Sequence, residues 1–209
     1  MTEDTTRLEA FSDGVFAIAI TLLVLELRVP GGSENAELWA GLRALWPSYL
    51  AFVLSFFVIL LMWVNHHELL RLLQAVDYPL LFANGFVLLM VTFVPFPTAV
   101  LAQHLVTPAA RAAVGFYCGT FIVVGISWAL LFRVMVGRGL IAPDVDAATI
   151  ARIGRANLIG PLVYILATGV ALVNAIAGLI LNASLWVLWA RLGYRPERQS
   201  SGGTREPLK

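Results

Sequence analysis

Residues 7–30 read RLEAFSDGVFAIAITLLVLELRVP. The apolar run from Phe11 to Val29 is long enough for one helical membrane crossing, which needs about 20 mostly apolar residues. A charge at the centre of a lipid-facing helix costs about 2.5–3.5 kcal/mol. Asp13 and Glu26 therefore belong near the two ends of the helix, or on a side turned toward protein or water. The leader ahead of the run carries Glu3, Asp4 and Glu9 against Arg7, and no Ala-x-Ala site follows it. A secretory signal has the opposite pattern, so residues 11–29 read as a retained first span. Thr6 with Glu9 fits a capping box, which predicts the helix start just before the membrane.

The rest of the chain has the same character. Of 209 residues, 59% are apolar and 13% charged, about half the charged share of a soluble domain, and the mean hydropathy is +0.83. A soluble globule of this size could not bury so much apolar surface, and a disordered chain would not contain it. A net charge of +1 excludes a nucleic-acid-binding surface. The single cysteine, Cys118, excludes a disulfide scaffold and a cysteine-based zinc cluster. The class is all-α, a polytopic integral membrane protein in a lipid bilayer.

Apolar blocks at 11–29, 47–66, 79–102 and 110–133 give four spans. Ala156–Ala190 contains no Asp, Glu, Lys or Arg. As one helix it would reach about 52 Å, far beyond a hydrocarbon core of about 30 Å. It must fold back, most simply near Asn174, which predicts spans at 152–172 and 175–192. With six spans both termini share a side. Arg7, Arg71, Arg133, Arg138, Arg152, Arg155, Arg191, Arg195, Arg198, Arg205 and Lys209 fall on that side. Only Arg28, Arg43 and Arg111 fall on the other, so both termini are expected in the cytoplasm. Residues 1–193 read as one six-helix membrane domain and 194–209 as a disordered cytoplasmic tail. In the outer loop 30–46, Leu38, Trp39, Leu42, Leu45 and Trp46 recur at helical spacing, as in a segment at the bilayer interface.

On the first span Phe11, Val15, Ile18, Leu22, Leu25 and Val29 form a branched-apolar stripe. Gly14, Ala17 and Thr21 form a small-residue face beside it, which permits close helix contact. Periodicity alone allows the stripe to face lipid, other helices or a symmetry axis. The second span ends in Trp63-Val64-Asn65-His66-His67-Glu68. Antiparallel packing brings Asp13 to the depth of His66 or His67, where a hydrogen bond makes burial of both less costly. The His-His-Glu string also raises a metal site. Consecutive residues on a helix diverge by about 100°, and the zinc-protease pattern needs its histidines four apart. A structural hydrogen-bond network is the better reading, with no structural metal and no cofactor expected. Val114–Gly119 contains a glycine pair in a long apolar run, read as helix packing rather than a carbonyl filter. Pro95, Pro97 and Gly160-Pro161 predict kinks or ends. Asn84, Asn157, Asn174 and Asn182 read as interhelical hydrogen-bond partners or turn residues.

Arg7-x-x-x-Phe11-Ser12-Asp13-Gly14 resembles the signature of the transmembrane protein 175 family of potassium channels, in its bacterial branch. The histidine pair after Trp63 is similar to that family's second span. The resemblance implies that the first helices line a pore with no carbonyl filter. It implies a constriction of apolar rings at Ile18, Leu22 and Leu25. Thr21 would lie close to it, with potassium ions passing transiently near Ile18 and Thr21. Arg7, Phe11, Ser12, Asp13, Trp63 and His66 or His67 would form the packing network that fixes the first helix. It implies a homotetramer in the bacterial plasma membrane. Two other readings use the same residues. A proton leak or proton-coupled carrier would work through Asp13, His66, His67 and Glu26. A membrane enzyme would need a complete polar cluster at one depth, which the sequence does not supply.

Overall fold

The computed structural model describes residues 3–192, with the side chains of the last helix described through Leu185. Among the described residues there is no strand, only helices and one isolated bridge between Leu73 and Ile141. Helix α1 spans Glu3–Leu22, and its chain tightens into a 3-10 turn at Leu23–Glu26. Thr5, Leu8, Ser12, Phe16, Ala19 and Leu23 are buried, at steps of three and four. That face packs α1 on α3 (Trp46–Leu70) and α4 (Tyr78–Phe93). The helix is already formed at Glu3, so the capping box expected at Thr6 and Glu9 does not start it. Glu3 and Asp4 place negative charge in the first turn, where the helix dipole favours it.

Helix α2 (Asn35–Ala44) lies in the long loop, with no buried residue and Trp39 exposed. At the other end of α3 the chain turns into α4. Asp77 caps α4 by accepting the Leu80 N–H at 2.9 Å, with Pro79 in the first turn. The expected single span 79–102 is two helices. α4 ends at Phe93, and α5 runs Pro95–His104. Pro95 has no N–H to continue the ladder of α4, so the break falls at Val94. Thr98, Ser55 and Tyr117 tie this bend to its neighbours: Thr98 Oγ1 lies 2.7 Å from Ser55 Oγ, itself 3.1 Å from Tyr117 Oη.

Helices α6 (Ala110–Gly137) and α7 (Ala147–Val173) form a close antiparallel pair. Small residues set their approach: Gly115 faces Leu172, Gly119 faces Thr168, Gly125 faces Pro161 and Gly154 faces Phe132. The 114–119 stretch is thus a helix-packing segment inside α6. Pro161 neither ends nor divides α7; its ring sits in the notch at Gly125, where an added Cβ would lie 3.0 Å from Pro161 Cγ. α7 ends at Asn174, whose Oδ1 accepts the Ala177 N–H at 3.0 Å and caps α8 (Ala175–Leu192). The long apolar run turns where its length requires. Asn182 differs from expectation: it is fully buried on α8 without a hydrogen-bond partner in the described chain.

Five segments are long and apolar enough to cross a membrane: Glu3–Glu26, Trp46–Leu70, Tyr78–His104, Ala110–Gly137 and Ala147–Val173. The apolar stretch of α8 with described side chains, Ala175–Leu185, is shorter. The tail predicted at 194–209 lies outside the described residues. One end of the bundle carries Arg71, Arg138, Arg152 and Arg155 and is here called the basic end. There, Gln74 N–H donates to Leu140 O (2.9 Å), Ala142 N–H donates to Leu72 O (2.8 Å), and Arg138 pairs with Asp77.

Candidate functional site

The site begins with the two faces of α1. One is buried against α3 and α4. The other carries Phe11, Ile18, Leu22 and Leu25, which are 67%, 58%, 41% and 72% exposed in the single chain. Gly14, Ala17 and Thr21 are exposed beside them. The 3-10 turn matters for this stripe. Residues three apart eclipse in a 3-10 helix, so Leu25 stands directly beyond Leu22. Thr21 Oγ1 donates to Ile18 O at 2.8 Å. The hydroxyl proton is thereby used within the helix, on an exposed residue.

The anchor of α1 is built near the basic end. His66 is fully buried and is reached by three other helices. Its Nε2 lies 2.7 Å from Asn84 Oδ1 on α4. Asn84 Nδ2 donates to Ser12 Oγ at 3.0 Å, and Ser12 donates to Leu8 O at 2.8 Å. This chain has one direction. The amide of Asn84 gives its N–H to Ser12, so its oxygen accepts from His66, whose proton sits on Nε2. The ring is edge-on to Trp128 of α6, with centroids 5.8 Å apart, and lies 5.2 Å from Phe16 of α1.

His67 points elsewhere, as adjacent helix positions must. Its Nδ1 lies 2.6 Å from Glu9 Oε1 on α1. Asp13 accepts from Trp63 Nε1 at 2.8 Å. The structure therefore brings Ser12, Asp13, Trp63, His66 and His67 into one anchor, but not with the pairing expected. Asp13 meets the indole rather than an imidazole. Arg7 and Phe11 stand apart: they line a cleft with Asp4, Leu8, Asp77 and Tyr78, and among the described residues no hydrogen bond or ion pair joins Arg7 to Asp13. Sequence reading missed the Glu9–His67 pair because it assigned Glu9 to a cap. It also gave no sign of Trp128, one more aromatic in an apolar run. Asn84 was visible as a polar residue in an apolar span, but its partners were not.

Glu9, Asp13 and His67 bring donor atoms within 4.8 Å of one another. These are the residues that could share a cation, in place of the His66-His67-Glu68 string. The close approach of His67 to Glu9 and the Trp63 bond to Asp13 bring the group together without one. At the far end, Glu26, Arg28 and His104 line another cleft just beyond Leu25. Outside the spans, two carboxyls are perturbed. Desolvation raises that of Asp77, but the Leu80 N–H and the Arg138 guanidinium outweigh it and hold it below its ordinary value. Hydrogen bonds from Thr149 likewise lower Asp146.

Known proteins resemble this chain in sequence and in fold. The family described as endosomal/lysosomal potassium channel TMEM175 matches residues 7–95, which take in most of α1, the Ser12–Asn84–His66 chain and the α4–α5 bend. A potassium channel of Chamaesiphon minutus is 44% identical over 174 residues, covering 82% of this chain and 86% of its own. The chain belongs to the TMEM175 family. A potassium channel of Streptomyces collinus is 43% identical over 175 residues, covering 82% of this chain and 84% of its own. The crystal structure of a TMEM175 homologue from Chamaesiphon minutus, described as a lysosomal potassium-selective channel homologue, superposes with a TM-score of 0.82. It is 40% identical and covers 91% of this chain and 98% of that one. As a TMEM175 protein the chain is a multi-pass protein of the bacterial plasma membrane, in a family of potassium channels and not of enzymes.

Proposed function

We propose that this chain forms a homotetrameric, potassium-permeable channel whose pore is lined by four copies of α1. The observation that carries the reading is the unpartnered stripe of Ile18, Leu22 and Leu25 on a helix whose opposite face is locked into the protomer. Four such stripes around an axis make three successive apolar rings. Apolar rings gate by excluding water, and they open when the first helices tilt or rotate. No carbonyl filter takes part. Potassium holds its water less tightly than sodium, so an apolar constriction favours it modestly. Thr21, with its hydroxyl proton turned to Ile18 O, offers lone pairs to an ion beside the first ring. Six spans with both termini in the cytoplasm complete the arrangement, in accord with the basic end.

The proton-relay reading draws less support from the anchor. The hydrogen-bond chain from His66 ends at a backbone carbonyl, Leu8 O, and Asp13 is joined to an indole that only donates. The test is potassium-driven flux in liposomes loaded with potassium chloride, against sodium chloride and an Ile18→Asn variant. Wild-type potassium flux that changes in the variant supports the channel and its constriction. Unchanged flux in Ile18, Leu22 and Leu25 variants removes the assignment. Proton uptake that vanishes in Asp13→Asn replaces it with the relay.

A further inference from the structure

Glu9, Asp13 and His67 meet on the seam between α1 and α3, apart from the stripe assigned to the pore. Glu9 and Asp13 are four residues apart, so one side of α1 carries both carboxylates. His67 faces them from α3, and donor atoms of all three lie within 4.8 Å of one another. The side chain of Glu9 is 14% exposed and that of His67 36%. The group is thus open to solution but only partly hydrated.

The seam leaves one polar contact unresolved. His67 Nδ1 is buried and makes no hydrogen bond among the described residues, although Glu9 Oε1 lies 2.6 Å away. The contact is close but misaligned, so a protonated ring gains attraction there without a bond. A neutral ring would turn its lone pair on the carboxylate, and a cation bound by both removes that repulsion. Two carboxylates match the two positive charges of a divalent ion, and neutral imidazole is a common metal ligand. Asp13 is already oriented: one of its oxygens accepts from Trp63 Nε1 at 2.8 Å, which leaves the other for an ion. Trp63 is one turn before His67 on α3, with the two rings 6.1 Å apart. The same side of α3 therefore supplies both the imidazole and the outer partner of the carboxylate.

We propose that this group binds one divalent transition ion of the zinc type. The ligands are His67 Nδ1 and one oxygen each from Glu9 and Asp13, with water in the fourth position, the pattern of an open zinc site. The imidazole selects against magnesium and calcium, which take oxygen ligands. Zinc bonds of about 2.0–2.2 Å hold tetrahedral ligand atoms about 3.4 Å apart, so Glu9 and His67 separate slightly on binding. The ion staples α1 to α3 beside the Ser12–Asn84–His66 chain.

Isothermal titration of the full, tag-free chain in detergent, stripped beforehand with a chelator, tests this with zinc chloride and with magnesium chloride. One zinc per chain is expected, in clear preference to magnesium. Cobalt(II) in its place is expected to give the intense visible bands of a four-coordinate ion. His67→Gln is expected to weaken zinc binding about a hundredfold, and Trp63→Phe, which removes only the outer partner of Asp13, about tenfold. His104→Gln, at the opposite end of the bundle, is expected to leave it unchanged. Circular dichroism and gel filtration check folding, and if His67→Gln folds poorly, Glu9→Gln reports the loss of a ligand instead. Absence of saturable zinc binding overturns the proposal, as does equal affinity for magnesium. So does undiminished binding in a folded His67→Gln or Glu9→Gln, or its loss in His104→Gln. None of these readings depends on ion flux.

Discussion

His66 is a polar ring held where four helices meet, and its environment shows what single residues contribute here. Its Nε2–H has one acceptor, Asn84 Oδ1, and Asn84 has one further role, as donor to Ser12. Removing the amide strands the His66 N–H and takes from Ser12 the bond it accepts, leaving Ser12 the one it donates to Leu8 O. Asn84→Ala should therefore destabilise the protomer by about 1–2 kcal/mol, since a buried group left unpaired costs about 1–3 but single interhelical bonds in membranes average only about 0.6. Thermal unfolding in detergent measures it. His67→Gln gives the contrast: its ring is part-exposed, so losing the Glu9 pair costs less than about 1 kcal/mol. Equal losses from the two variants would mean that the Ser12–Asn84–His66 chain does not hold α1. Ser12, Asp13, Trp63 and the histidine pair were legible as anchor residues, whereas Arg7 and Phe11 of the same motif line a separate cleft and Glu9 and Trp128 were not foreseen. The pairing within the anchor was not legible, because which imidazole faces which helix depends on the rotation of α3 about its axis. Trp63 lies one turn before His67, and that turn gave Asp13 to the indole.

Elements approach one another here through missing side chains. At the α7–α8 corner, a Cβ on Gly178 would lie 2.4 Å from Ala171 Cα, so backbone must move to admit it. Gly178→Ala is expected to lower stability by about 1–3 kcal/mol, as overpacking does. Gly137→Ala meets nothing within 4 Å and should leave the melting temperature unchanged or slightly higher. The clip between the α3–α4 turn and the α6–α7 loop answers to pH. Asp77 has a folded pKa below its ordinary value, so its contribution is present above the unfolded value near 4 and is lost as pH falls through the folded one. Asp77→Asn keeps the cap on α4 but loses the charge facing Arg138. Melting measured from pH 7 down to 3 should fall less steeply in this variant than in the wild type. Parallel curves would assign the acid sensitivity elsewhere, beginning with Asp146. The helices themselves were legible from length: the turn at Asn174 followed from an uncharged run too long for one crossing. The α4–α5 break was marked by Pro95. The 3-10 turn after Leu22 was not marked, since tightening the last turn leaves the spacing of Ile18, Leu22 and Leu25 intact and writes nothing into the hydrophobic pattern.

The whole molecule raises a question that one chain poses through its surface. A membrane protein exposes apolar side chains to lipid everywhere, so an exposed Leu25 alone does not distinguish lipid from a pore axis. Small residues do distinguish them. Lipid chains pack as readily on leucine as on glycine, whereas four helices crossing near an axis need a face that lets backbones approach. Gly14 is such a position: it is exposed, and a Cβ there meets nothing within 4 Å in the protomer. Within one chain, Gly14→Leu should be harmless or stabilising, because leucine is the better helix former by about 0.8–1 kcal/mol. Within a tetramer built on α1, four isobutyl groups would be forced into the shared contact. The expected result is an assembly that dissociates in light scattering or cross-linking while each protomer melts at the wild-type temperature or above. Loss of protomer stability would place Gly14 in an intrachain contact. An undisturbed tetramer would move the subunit contacts off α1 and take the axis, and with it the rings at Ile18, Leu22 and Leu25, away from this helix.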